Sequence, residues 1–195
     1  MSKRMPQKAG WIFVVVFVGL HLLYCALDLK RCLMVVGPYD NTETALYQLV
    51  EQASAFLRFF LAGSSFVPVH TGTIWPRDIA GACLIGSFVV AATIWLLAHY
   101  GWKKTYLFWG AALALSILLC AAIGAVAALV LSILLGAGVD ILAGQLSSDL
   151  AIVNRNFAEV PLRCAVYVLI YQIPSWLLYR GSQQLARNLM QNRDS

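Results

Sequence analysis

Four residues of the first apolar segment carry side chains that can ligate a metal ion: His21, Cys25, Asp28 and Cys32. Their spacings of four, three and four residues place them on one face of a continuous helix. Imidazole, thiolate and carboxylate are all metal-ligand groups, so this face is the candidate metal site of the sequence. However, Lys30 and Arg31 precede Cys32, and cysteine is also an ordinary small buried residue in lipid. The sequence therefore favours structural roles for the four side chains, with no metal and no cofactor.

The other histidines and cysteines add no catalytic or cofactor motif. His99 is predicted to lie about half a bilayer thickness from His21, so the two cannot ligate one haem. The chain has no C-x-x-C or C-x-x-C-H motif. Cys32 could form a disulfide with Cys83 or Cys164 in an oxidising compartment, but free buried thiols are favoured. We therefore predict that the protein is not an enzyme.

The best-marked feature is a row of small residues in the third apolar segment: Ala112, Ser116, Cys120, Gly124, Ala128, Ser132 and Gly136. Small residues allow helix backbones to approach closely in lipid, where packing replaces the hydrophobic effect as the associating force. Because a spacing of four exceeds the 3.6-residue turn, the row drifts about 40° around the helix per step. The row predicts packing against a right-handed crossing partner, or against different helices in turn.

The composition is that of a membrane protein. Hydrophobic residues make up 61% of the chain and charged residues 12%, and the mean hydropathy is +0.75. A soluble domain carries about 25% charged residues. We therefore predict one membrane domain, 1–195, surrounded by the lipid bilayer. The net charge of +5 includes no long basic run, so nucleic acid is not an expected partner.

The expected fold is an all-α integral membrane protein with a bundle of four transmembrane helices. The predicted spans are about 10–28, 79–100, 106–136 and 161–179, with outer loops at 29–78 and 137–160. With both termini inside, eight Lys and Arg residues would lie inside and six outside, whereas eight of the nine acidic residues would lie outside. This arrangement agrees with the positive-inside rule, although Lys30 and Arg31 violate it locally.

The segment 106–142 allows two interpretations. As a single helix it would be about 55 Å long, which is too long for one upright span. The same segment is barely long enough for two spans joined by a turn. Two short spans would need a turn near 121–124, where the sequence has no Pro, Asn or Asp. We favour one long, tilted helix that projects beyond the outer face, with Gly136 and Gly138 as a bend.

Two amphipathic outer helices are predicted between the spans. In 42–61 and again in 139–157, apolar residues recur at helical spacing opposite polar ones. Pro161 then opens the fourth span, because proline is favoured in the first turn of a helix. The intervening residues 64–78 are predicted to form a loop. Each outer helix could lie on the membrane surface, cover the bundle, or dock another protein.

Transport function is usually marked by intramembrane charge, and here such charge is scarce. No predicted span carries a charged residue at mid-depth, and Asp28 lies near an outer end, where its cost is modest. Pro174 removes one hydrogen bond of the fourth span and predicts a kink. Such a kink could line a cavity, although a neighbouring helix more often satisfies the freed carbonyl.

Together these features predict a non-catalytic subunit or accessory protein of a larger membrane complex, acting through helix–helix packing. Its partners would be other integral membrane proteins or copies of itself. The first alternative is a small transporter or channel that forms a homo-oligomer. The second is a membrane redox or metal protein. A bacterial inner membrane is the expected location, and an organelle membrane remains open.

Overall fold

The computed structural model describes residues 7–36, 44–62, 76–136 and 140–192. They form five helices and no strand: α1 (Gln7–Val36), α2 (Ala45–Ala62), α3 (Pro76–Tyr100), α4 (Trp102–Gly136) and α5 (Asp140–Gln191). The prediction of an all-α fold is thereby confirmed for the described part of the chain. The predicted loop at 64–78 lies outside the described residues except for its last three, which belong to α3.

Three of the helices are long and apolar enough to cross a membrane. The qualifying stretches are Gln7–Arg31 in α1, Trp102–Val130 in α4 and Phe157–Gln191 in α5. They identify the chain as a membrane protein. The predicted span 79–100 falls in α3, where the described apolar stretch, Gly86–Tyr100, is shorter than a full span.

The segment 102–136 is one continuous helix of 35 residues. At 1.5 Å per residue, α4 is about 52 Å long, whereas the hydrocarbon core is about 30 Å thick. No turn interrupts the helix at 121–124, so the two-span interpretation of this segment is wrong. The predicted bend involves Gly138, which lies outside the described residues.

The boundary predicted at Pro161 is wrong, because Pro161 lies inside α5. Residues 140–157 of the amphipathic segment and the predicted span 161–179 are parts of this one helix of 52 residues. An interior proline loses one hydrogen bond and costs about 3 kcal/mol. Here an apolar face continues across it, since Phe157, Cys164 and Val168 are all buried. Burial of that face offsets the cost, and the helix does not break.

Helices α3 and α4 form an antiparallel hairpin around Gly101. This glycine has a φ of +74°, a left-handed conformation that favours glycine. Its N–H donates to the Leu97 carbonyl at 3.1 Å, and the Thr105 hydroxyl donates to the Gly101 carbonyl at 2.9 Å. Farther along the hairpin, Trp109 Nε1 donates to Thr93 Oγ1 at 3.1 Å. The turn residue thus ends one helix and begins the next.

An aromatic core joins α1 to this hairpin. Phe13 and Phe17 of α1 both meet the Trp109 ring edge to face, with centroids 4.9 and 5.5 Å apart. One helical turn earlier, Gly10 faces Phe108 so closely that a Cβ atom would lie 2.3 Å from the Phe108 ring. Gly10 is therefore required by the close approach of the Phe108 ring to the α1 backbone.

Candidate functional site: a buried polar seam on the first helix

Helices α1 and α4 meet at two polar contacts. In each contact the two residues are the same number of positions apart in the sequence. Ser116 Oγ lies 3.5 Å from His21 Nδ1, a pair separated by 95 residues. One turn farther along both helices, the thiols of Cys25 and Cys120 contact each other with the same separation of 95 residues. Equal offsets mean that the two helices run parallel in fixed register. We call the buried polar residues along α1 and their partners the polar seam, and these four residues form its first half.

The small-residue row of α4 supplies the α4 side of this seam. Ala112, Ser116, Cys120 and Gly124 are buried, and Ala128 is half-buried. Ser132 and Gly136 belong to α4, but their surroundings lie outside the description. The burial along 112–124 shows where this part of the row packs inside the chain. Whether the row also drives association with other chains stays a prediction.

His21 is fully buried, and one of its two ring nitrogens has no hydrogen-bond partner. Nδ1 lies 3.1 Å from the Phe17 carbonyl oxygen, which can only accept a hydrogen bond. In the neutral ring Nδ1 therefore carries the proton, and Nε2 is left as an acceptor. Nε2 is buried without a hydrogen-bond partner. Such a nitrogen can accept a proton or a donor group.

Asp28 forms the second half of the seam, between α1 and α2. Its carboxylate is only 1% exposed, and Oδ1 lies 3.1 Å from Arg31 Nη2. The Ser54 hydroxyl of α2 donates to the same oxygen at 3.3 Å. The prediction that Asp28 sits where charge has a modest cost is thus wrong, because α2 covers it. The sequence could not show which helix lies over this end of α1.

Three polar atoms around Asp28 are buried without a hydrogen-bond partner: Asp28 Oδ2, the Tyr24 hydroxyl and Arg58 Nε. The Tyr24 hydroxyl lies close to the charged groups of Asp28, Arg58 and Arg31. One carboxylate therefore lies among two guanidinium groups and a phenol. The unused lone pairs and N–H groups give this cluster the capacity to bind a proton, a water molecule or a small polar ligand.

Ser54 and Arg58 were not among the predicted site residues. Ser54 does carry a sequence signal, since it lies on the same stripe of α2 as Val50, Leu57 and Leu61, which are all buried. A hydroxyl on an apolar stripe indicates a buried polar contact. Arg58 is one of the polar residues opposite that stripe in the helical periodicity of 42–61, and nothing in its spacing indicates Tyr24.

The structure describes the side chains of three of the four candidate metal ligands, His21, Cys25 and Asp28, and each has its own polar partners. His21, Cys25 and Asp28 lie on one buried face of α1, as their spacing predicts. Their nearest polar partners are hydroxyl, thiol, carbonyl and guanidinium groups on three different helices. Among the described residues no three His, Cys, Asp or Glu side chains could hold one ion. The side chain of Cys32 lies outside the description.

The described cysteines are free thiols. Cys25, Cys120 and Cys164 are buried, and Cys83 is exposed. The sequence does not indicate the contact between Cys25 and Cys120, because the spacing of Cys120 marks it only as a member of the small-residue row. The disulfides considered from the sequence all involve Cys32, so they lie outside what the structure describes.

Pro174 lies inside α5 and lines a cavity of about 300 Å³ between α5 and α3. The cavity is walled by Cys83, Gly86, Ser87 and Tyr171. A Cβ atom on Gly86 would lie 2.4 Å from the Tyr171 ring, so glycine brings the two helices together there. The exposed Cys83 and Ser87 leave this cavity open to the bundle surface. It is a surface groove of the bundle.

A second polar junction lies near this groove and joins three helices. Thr93 Oγ1 accepts hydrogen bonds from Trp109 Nε1 at 3.1 Å and from Gln172 Nε2 at 3.2 Å. Gln172 Oε1 is buried without a partner. The junction fixes α3, α4 and α5 relative to one another near the middle of the bundle.

No protein family matches this chain, and neither a curated protein nor a solved structure is detectably similar to it.

Proposed function

We propose that this chain is a non-catalytic subunit or accessory protein of a larger membrane complex. It would cross the membrane four times, with both termini inside. It would act by packing against other integral membrane proteins or further copies of itself. A bacterial inner membrane is the proposed location.

The observation that carries the proposal is the free end of α5. Every side chain from Arg180 to Asn192 is exposed, although this stretch is helical through Gln191. Leu185, Leu189 and Met190 are 61%, 62% and 63% exposed. Contiguous exposed apolar residues rimmed by polar ones are typical of an interaction site. The exposed leucines favour a partner that covers this end of the helix.

The length of α5 supports the same conclusion. Its 52 residues span about 78 Å, whereas the hydrocarbon core is about 30 Å thick. At the tilts of up to about 40° that membrane helices adopt, a large part of α5 must lie outside the hydrocarbon. The residues that follow Arg180 are the more polar end, so we place them in the inner aqueous phase.

The four-span topology is supported by charge and by the α3–α4 hairpin. Lys103 and Lys104 follow the Gly101 turn directly and are exposed. Positive residues favour the inner side. Since α3 runs antiparallel to α4 from this turn and is 25 residues long, it is long enough to reach the outer side.

Affinity purification from mild detergent, followed by mass spectrometry, tests the proposed role. Wild-type chain should retain defined membrane partners, or elute as a stable oligomer of itself. The double variant L185Q/L189Q should lose them while keeping normal helix content. R187Q changes the opposite face of the same helix and should keep them. A wild-type chain that purifies alone as a monomer would make the proposal wrong.

A small transporter or channel is the second candidate, and the cluster around Asp28 favours it. Buried ionisable groups within membrane helices are by default candidates for proton or ion pathways. Asp28 Oδ2 and the Tyr24 hydroxyl are both buried with unused hydrogen-bonding capacity. Purified protein in liposomes should then move protons or a small ion by itself, and Asp28→Asn should abolish that flux. Flux that is absent from wild-type liposomes would remove this candidate.

A further inference from the structure

A groove of about 520 Å³ opens at the end of the bundle where α3 turns into α4. Its walls include Gly101 and Trp102 from the turn, and Trp176, Tyr179, Arg180 and Gln183 from α5. The groove is therefore lined by aromatic rings together with a guanidinium and an amide. We call this surface the Arg180 groove.

The Arg180 guanidinium is held by an aromatic ring, and its positive charge is not paired with an acidic side chain among the described residues. Its guanidinium carbon lies 4.5 Å from the centroid of the Trp176 ring, a cation–π contact. Among the described residues no acidic side chain pairs with Arg180. The sequence has no Asp or Glu in 79–139 or in 160–193, the segments that build this end of the bundle. The exposed Lys103 and Lys104 add positive charge beside the groove.

The aromatic rings of the groove indicate a position at the level of the lipid headgroups. The Trp102 ring lies 4.6 Å from Tyr106 and 6.4 Å from Trp176, measured between centroids. Tryptophan and tyrosine rings collect at the boundary between hydrocarbon and water. The apolar stretch Trp102–Val130 begins at this same residue. A ligand in the groove would thus have its polar group beside Arg180 and any acyl chain along the bundle.

We infer that the Arg180 groove binds the phosphate group of an anionic phospholipid. Arg180 and Gln183 would donate hydrogen bonds to the phosphate oxygens, and the tryptophan rings would pack against the glycerol and the first acyl carbons. Basic pockets between membrane helices are suited to such headgroups. The inference needs the membrane location but not the role as a subunit.

Native mass spectrometry of the full chain in an uncharged detergent tests the inference. The added probes are phosphatidylglycerol, phosphatidylcholine and inorganic phosphate, each titrated separately. We expect saturable binding of phosphatidylglycerol, and little binding of the other two. Equal binding of phosphatidylcholine would show a surface without headgroup selectivity, and competition by inorganic phosphate at matched concentration would show a site for a soluble anion; either result overturns the inference.

Two pairs of variants locate the site. R180Q should weaken phosphatidylglycerol binding about fivefold, and R187Q, farther along α5 and outside the groove, should not. Q183E adds a negative charge inside the groove and should weaken binding similarly, whereas Q184E adds the same charge beside it and should not. The Q183E and Q184E pair stays decisive if R180Q fails to fold, because both positions are exposed. Equal effects within both pairs would overturn the inference.

Discussion

The Ser54 hydroxyl donates to Asp28 Oδ1 at 3.3 Å, across the contact between α2 and α1. Both residues are buried, at 2% and 1% exposed. This hydrogen bond makes α2 part of the bundle, because it pairs a group on the amphipathic helix with a charge on the first membrane helix. Helix α2 is therefore a structural cover for Asp28.

Ser54→Ala should destabilise the protein by about 1 kcal/mol, the typical net value of one hydrogen bond. The Arg31 contact to Asp28 Oδ1 would remain, so the loss should not unfold the bundle. Thermal unfolding in detergent measures the effect. Gln52→Ala, at an exposed position of the same helix, should leave the melting temperature unchanged. Equal melting temperatures for both variants would mean that Ser54 does not hold α2 in place.

Local sequence signals predicted the helices well and their ends poorly. Apolar runs marked α1 and α4, and helical periodicity marked α2, because those signals depend only on neighbouring residues. The helix boundary predicted at Pro161 is wrong because the local sequence does not distinguish a proline in the first turn from one inside a packed helix. Burial of Phe157 and Cys164 on one face of α5 decides between them, and that depends on which helices lie nearby.

For the same reason, the α1 side of the polar seam could be predicted from the sequence and its partners could not. The spacing of His21, Cys25 and Asp28 correctly placed them on one face of α1. Their partners Ser116, Cys120 and Ser54 come from helices distant in sequence. Nothing local to α1 indicates a parallel register with α4 or the cover by α2. The interhelical contacts therefore had to come from the structure.

The proposed topology makes a direct prediction for reporter fusions. Fusions at Lys104 and after Ser195 should both report the inner side, because Lys and Arg flanking the spans favour that side. Paired cytoplasmic and periplasmic reporters at each position measure it. A fusion at Glu51 in α2 should report the outer side. An outer signal at the C-terminus would contradict the four-span topology.

Thr93→Val should destabilise the bundle by about 2 kcal/mol. The substitution keeps the shape but removes the oxygen that accepts hydrogen bonds from Trp109 and Gln172. Trp109 Nε1 would then be buried without an acceptor and Gln172 Nε2 would lose its partner, which costs more than the loss of a single contact. Thr93→Ser keeps the oxygen and loses one methyl group, so its cost should be under about 1 kcal/mol. Equal melting temperatures for the two variants would show that the hydroxyl is not the stabilising group.

Gly10→Ala should destabilise the protein by about 1–3 kcal/mol, the usual range for overpacking. The added Cβ would lie 2.3 Å from the Phe108 ring, which is buried and packed by Trp11 and Tyr100. Gly19→Ala is the matched control in the same helix, since its Cβ would meet nothing within 4 Å. Thermal unfolding of both variants compares them. A Gly10→Ala variant as stable as Gly19→Ala would mean that α1 and Phe108 are not in close contact.

Gly124→Leu tests whether the small-residue row of α4 holds helices together. Gly124 is buried, so four added carbons must displace a neighbour at a cost of about 1–3 kcal/mol. Leucine suits lipid, so the helix should still insert with normal topology while the bundle loses stability or its partners. Ile123→Leu conserves volume at the adjacent position and should be nearly silent. Melting temperature and partner recovery in detergent measure both variants. If Gly124→Leu retains wild-type stability and assembly, the row reflects composition alone and has no packing role.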